Sequence, residues 1–205
     1  MSERRIAVFV SGGGRSLENL ALEIEARRLD ATIAVVITNK AGCGALARAQ
    51  RFGIPGVVVD PDKKLVAADF SRDAFAAATS FGADLIVLAG FLRLLEIPPA
   101  WLGRVINIHP SLLPAFGGKG FHGHHVHEAV LASGVWFTGC TVHYVTNEYD
   151  AGPILLQRAI EVRADDTPDA LAARVFEEEK RALPEAITLH FAEDLRSVRA
   201  RQRTR

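Results

Sequence analysis

The chain has 205 residues, nearly half of them apolar and under a quarter charged, enough for one domain with a full hydrophobic core. Its 24 basic and 24 acidic residues cancel, so nothing global points to a nucleic-acid or acidic-lipid partner. Two cysteines, Cys43 and Cys140, exclude a disulfide framework and read as small buried hydrophobes.

Element types alternate from the start. Residues 5–11, "RIAVFVS", read as a strand, followed by glycines and then helical spacing over 17–29. A strand is expected over 32–38, a helix over 44–52 and a short strand over 56–60. An alanine-rich helix follows over 69–81, then strands over 84–90 and 105–109. Near-continuous Val/Ile/Leu runs alternating with helices predict a parallel sheet covered on both faces. The pattern then changes. Residues 139–145 and 152–162 are strand-like runs with no helix between them, hence antiparallel neighbours, and a helix follows over 168–190 with Thr167 as its cap. One domain, 1–205, is the economical reading. The N-terminus lacks a signal-peptide pattern and no apolar run approaches a membrane span, so a cytoplasmic location is expected. The basic end, 196–205, reads as a frayed, solvated tail, with a nucleic-acid arm as the alternative.

"SGGGRS" (11–16) lies between the first strand and the first helix. Glycines allow close backbone approach, and a helix start offers free N–H groups and a positive dipole end. Arg15 and Ser16 add donors. There is no G-K-[ST], and Leu17 stands where a dinucleotide fingerprint needs its third glycine. The loop is either a plain turn or a site for a phosphate without a dinucleotide.

"VINIHPSLLPAF" (105–116) interrupts a core strand with Asn107 and His109. Strand alternation points both to the same side, and Pro110 ends the strand where open α/β sheets bind ligands. One alternative is a satisfied core histidine. The other is a pair of donors aimed at an oxygen that gains charge, which implies attack on a carbonyl. No G-x-S-x-G elbow accompanies Ser111, so direct transfer between two bound substrates is simpler than an acyl-enzyme. Asp150, in "NEYDAGPI", is either a turn residue or the carboxylate that keeps His109 protonated.

"NIHPSLLP", the downstream "D-x-G-P-I" and the early "S-G-x-G" together resemble the folate-dependent formyltransferases, and the similarity runs over almost the whole chain. The resemblance implies the formyltransferase fold: an α/β, Rossmann-like, mostly parallel sheet with helices on both faces and late antiparallel strands. It implies transfer of the formyl group of 10-formyltetrahydrofolate, a cosubstrate, to the amine of glycinamide ribonucleotide in purine synthesis, through a tetrahedral oxyanion and without a metal. It assigns Asn107, His109 and Asp150 as catalytic, and Gly14, Arg15, Ser16 and Glu179 to the ribonucleotide. Arg72, Leu92, Arg93, Leu94, Leu95 and Asn107 fall to folate. The partners implied are the two small molecules, with no nucleic acid or membrane, and a monomer or homodimer. Many members have G-S-N where this chain has Gly14-Arg15-Ser16. The stretch 115–128 is longer than in short members and reads as a glycine-hinged lid over the substrates, with a metal site at its histidines 122, 124, 125 and 127 as the alternative. Two other function classes compete: a 10-formyltetrahydrofolate hydrolase, which carries an extra N-terminal domain, and a non-catalytic phosphate-ligand sensor. A tRNA formyltransferase carries an extra C-terminal domain and should be basic.

Overall fold

A computed structural model describes residues 4–60 and 65–192 of the chain; the basic tail at 196–205 lies outside the described residues. Seven strands form one sheet: β1 (Arg5–Val10), β2 (Thr32–Thr38), β3 (Gly56–Val58), β4 (Leu85–Leu88), β5 (Val105–His109), β6 (Phe137–Tyr144) and β7 (Ile154–Glu161). Their order is β3-β2-β1-β4-β5-β6-β7, parallel from β3 to β5 and antiparallel from β5 to β7. The α/β class, the parallel part and the late antiparallel pair match the sequence expectation.

The helices are α1 (Arg15–Glu25), α2 (Gly44–Arg51), α3 (Ala67–Ser80), α4 (His124–Ser133) and α5 (Pro168–Ala192). Strand alternation splits the core. Ile6, Val8 and Val10 of β1 join Leu17 and Leu20 of α1, Val126 of α4 and Leu171 and Ile187 of α5 on one face. Ala7 and Phe9 join Phe70, Ala74 and Phe75 of α3 on the other. Each Val, Leu, Ile or Phe among them, fully buried, contributes about 1.5–3 kcal/mol. Both faces are therefore covered, and ligands must enter at the strand ends. The order of the sheet reverses at β1, whose neighbours are β2 and β4. The chain leaves β1 and β4 by loops that meet: the Ser11 N–H donates to the Gly90 carbonyl and the Leu92 N–H to Ser11 Oγ. That crevice is the expected ligand position in such sheets.

Most element bounds shift by one or two residues, and two departures are larger. The first helix ends at Glu25, not Leu29, because Arg27 adopts φ 57° and turns the chain back. Leu29 is still buried, so the apolar periodicity continued past the helix. The stretch 115–128 is not all loop: α4 starts at His124, burying Val126 and Val130 one turn apart, and stops at Gly134 in the left-handed region.

Candidate active site

A cavity of about 490 Å³ opens at the carboxyl ends of β1, β4 and β5. At one end the glycine loop forms its wall, with Gly14, Arg15 and Ser16. Gly14 adopts φ 79° as the cap of α1, and a Cβ there would lie 2.8 Å from Ala45. No residue but glycine fits that position, while α1 points its free N–H groups into the cavity. Arg15 lays its guanidinium 3.7 Å from the centre of the Phe176 ring. Glu179 lines the same end; burial pushes its carboxyl up to about 7, and the Arg15 charge offsets this only in part.

At the other end stand Asn107, His109 and Asp150. Asn107 and His109 share one side of β5, as alternation requires, and His109 is buried. Asp150 reaches them from the turn after β6 with φ 51°, a strained conformation for a residue with a side chain. Its Oδ2 accepts a hydrogen bond from the Gly118 N–H at 2.8 Å and lies 3.7 Å from His109 Nδ1. Burial pushes the Asp150 carboxyl up, but His143, the Gly118 N–H and the His109 charge together hold it below the usual carboxylate range. It is an anion at neutral pH.

At His109 two influences on the pKa oppose each other. Burial lowers its pKa, and this outweighs the opposing pull of Asp150 and of the Phe116 carbonyl. The balance favours the neutral ring. Its Nε2–H donates to the Phe116 carbonyl at 2.8 Å. The Nδ1 lone pair is left facing Asp150, ready to take a proton.

His143 is a member of this cluster that the sequence reading missed. It sits directly opposite Asn107 in the β5–β6 register and is buried. Its Nδ1–H donates to the Tyr144 carbonyl at 3.0 Å, and its Nε2 faces both Asn107 and Asp150, whose Oδ1 lies 3.5 Å away. Nε2 takes one Asn107 N–H at 3.2 Å. That bond fixes the orientation of the amide and aims the second Asn107 N–H away from the strand pair. The signal was present as an isolated histidine in "GCTVHYV", but only the register shows what faces it.

A second pocket of about 90 Å³ adjoins at Leu92, Asn107 and Asp150, and is walled by Leu94, Leu95 and Val145. Leu92 is 62% exposed and Leu94 38%, an apolar rim suited to a flat ring system. Arg93 borders this pocket, but its guanidinium is engaged by Asp60 at 2.6 Å, by the Leu65 carbonyl and by the Phe70 ring. Arg72 is not brought to either pocket: it lies exposed on α3, paired with Asp69 and Asp73. Ser111 donates to the Ala115 carbonyl and is fully buried, unsuited to act as a nucleophile. Burial pushes the Cys140 thiol up to about 12, so it is no thiolate. His124 pairs with Asp169 and His125 with Glu128. Among the described residues no group of three or more His, Cys, Asp or Glu is placed to hold a metal.

Residues 4–187 match the formyl transferase family model. The chloroplastic phosphoribosylglycinamide formyltransferase of Arabidopsis thaliana is 41% identical over 188 residues, 90% of this chain and 64% of that protein. The trifunctional purine biosynthetic protein adenosine-3 of Gallus gallus is 42% identical over 90% of this chain, which covers 18% of its length. The chain thus spans under two thirds of the curated relatives it matches. Against the crystal structure of phosphoribosylglycinamide formyltransferase from Brucella melitensis the TM-score is 0.83 at 38% identity, covering 94% of this chain and 98% of that one. Glycinamide ribonucleotide transformylase 1 from Symbiobacterium toebii gives the same TM-score and identity over 90% and 86%.

Proposed function

The chain belongs to the formyl transferase family, and from that premise we propose that it transfers the formyl group of 10-formyltetrahydrofolate to the amine of glycinamide ribonucleotide in de novo purine synthesis. The observation that carries the reading is one cavity with two differently built ends. A backbone anion site with Glu179 stands at one end, and an Asn–His–Asp cluster beside an apolar pocket stands at the other.

The residues divide the work accordingly. The α1 N-terminus, Gly14, Arg15 and Ser16 hold the ribonucleotide phosphate, and Glu179, when ionised, accepts from ribose hydroxyls. The apolar rim of Leu92, Leu94 and Leu95 fits the folate ring, which supplies the formyl group and a nitrogen leaving group. Holding both molecules against β5 provides proximity. Asn107, its amide fixed by His143, donates its second N–H to the formyl oxygen as charge develops there. Asp150 and the Nδ1 lone pair of His109 receive the proton that the attacking amine must lose. An imidazolium formed in this way is paired with Asp150 and can return the proton to the leaving nitrogen. The protein forms no covalent bond in this scheme.

The test is formyl transfer from 10-formyltetrahydrofolate with and without glycinamide ribonucleotide. Consumption should depend on the ribonucleotide and yield its formylated product. Equal consumption without it would identify a hydrolase, and binding without turnover a sensor.

A further inference from the structure

We propose that Arg48, on α2 and outside the cavity, is a positioning residue that sets the phosphate-binding face of the glycine loop. The proposal rests on the reading of that loop as the phosphate site. The first turn of α2 is built against the back of the loop. Gly44 is so close that a Cβ on it would meet the Gly13 Cα and carbonyl oxygen at 3.3 Å, and Ala45 touches Gly14. Two bonds cross this contact. The Ala45 N–H donates to the Gly12 carbonyl, and Arg48 Nη1 donates to the Gly13 carbonyl.

In a trans planar peptide the C=O and N–H of one unit point in opposite directions. Turning the Gly12 and Gly13 carbonyls toward α2 therefore turns the Gly13 and Gly14 N–H groups away from it, onto the side where these glycines line the cavity. Such a run of inward N–H groups is what an anion needs. Neither flanking residue of the Gly13–Gly14 peptide has a Cβ, so the unit can flip at little steric cost. Arg48 opposes the flip, because the flipped carbonyl would leave a guanidinium donor unpaired. The guanidinium is itself fixed: Nε donates to Glu18 Oε2 at 2.9 Å, on the first turn of α1. Arg48 thus links the loop to both helices beside it.

Arg51 supplies an internal control. It carries the same charge and also pairs with Glu18, but it makes no bond to the loop. A field effect would make the two arginines equivalent; peptide orientation singles out Arg48. Arg48 is partly exposed on a helix surface, and Arg51 keeps Glu18 paired in its absence, so Arg48→Met is expected to fold.

The experiment compares wild type, Arg48→Met and Arg51→Met. Inorganic phosphate is titrated while the Gly13 and Gly14 amides are followed by NMR, and steady-state kinetics are measured in parallel. Arg48→Met should weaken phosphate binding and raise the KM for the ribonucleotide by about tenfold, the scale of one hydrogen bond to a charged group. Its kcat and its KM for folate should stay at wild-type values, and Arg51→Met should match wild type throughout. Equal losses in the two variants, or no loss in Arg48→Met, would overturn the role of Arg48. A wild type whose glycine amides ignore phosphate would instead remove the phosphate-loop reading, and the proposal with it.

Discussion

The two ends of the cavity are made of different material. The glycine-loop end is backbone, held by the absence of side chains at Gly14 and Gly44. The β5–β6 end is four side chains from three places, Asn107, His109, His143 and Asp150, whose use depends on where protons sit. A backbone site tolerates exchange of its outward side chains. It does not tolerate a Cβ at Gly14. A side-chain site has the opposite sensitivity: the fold survives a substitution there, and the chemistry does not.

The largest expected effects are at the side-chain end. Asp150→Asn should lower turnover by about 10²–10⁴, the usual worth of a positioned acid–base group. The His109 pKa, already below the ordinary value through burial, should fall further once the raising charge of Asp150 is gone. NMR titration of His109 in both proteins checks this, and an unmoved histidine would confine Asp150 to shaping the turn. Asn107→Ala should cost about 10²–10³ in turnover with little change in either KM, as for loss of one oxyanion donor. His143→Leu should cost less, about tenfold, because the amide keeps its donors and loses only its orientation. Equal losses in these last two variants would mean that His143 contacts the reacting groups itself.

How much of this the sequence disclosed follows the same division. The glycine loop was legible because glycine spacing is a local signal, and Asn107 and His109 because alternation within one strand is local too. His143 was not, because its significance lies in standing opposite Asn107, and register between strands leaves no mark in either strand alone. The helix at His124–Ser133 was hidden behind histidines and glycines, although Val126, Val130 and Gly134 mark its face and its end. The balance at His109 was not legible either: a nearby carboxylate raises its pKa and burial lowers it, and how far each acts is a property of the packed chain. Arg72 lies on the solvent side of α3, off the face that Phe70, Ala74 and Phe75 bury.

At the backbone end the effect should be on affinity. Gly14→Val forces a β-branched residue into a left-handed conformation and against Ala45. Ribonucleotide binding should weaken about 10- to 100-fold through loss of one charge-assisted backbone bond, with folate binding retained. Isothermal titration with each ligand separates the ends; loss of folate with the ribonucleotide retained would show that they are reversed.

The smallest expected effect is on stability, and it comes from Glu179 at the backbone end. Burial raises the Glu179 carboxyl from 4.5 to about 7. A group whose pKa is raised on folding binds more protons in the native state between those two values, so stability falls as pH rises through that window. Below about pH 4.5 Glu179 is protonated in both states and contributes nothing to the slope; above about pH 7 it is ionised in both and its destabilisation is constant. Glu179→Gln keeps the shape and removes the charge. The ligand-free variant should therefore match wild type at pH 4.5 and gain on it steadily to pH 7. Beyond that the gap should stay level, although ribonucleotide binding is weaker. Urea unfolding at four pH values across the window measures this. Parallel stability curves for the two proteins would mean that Glu179 is ionised throughout in the folded chain, with Arg15 as its full counter-ion.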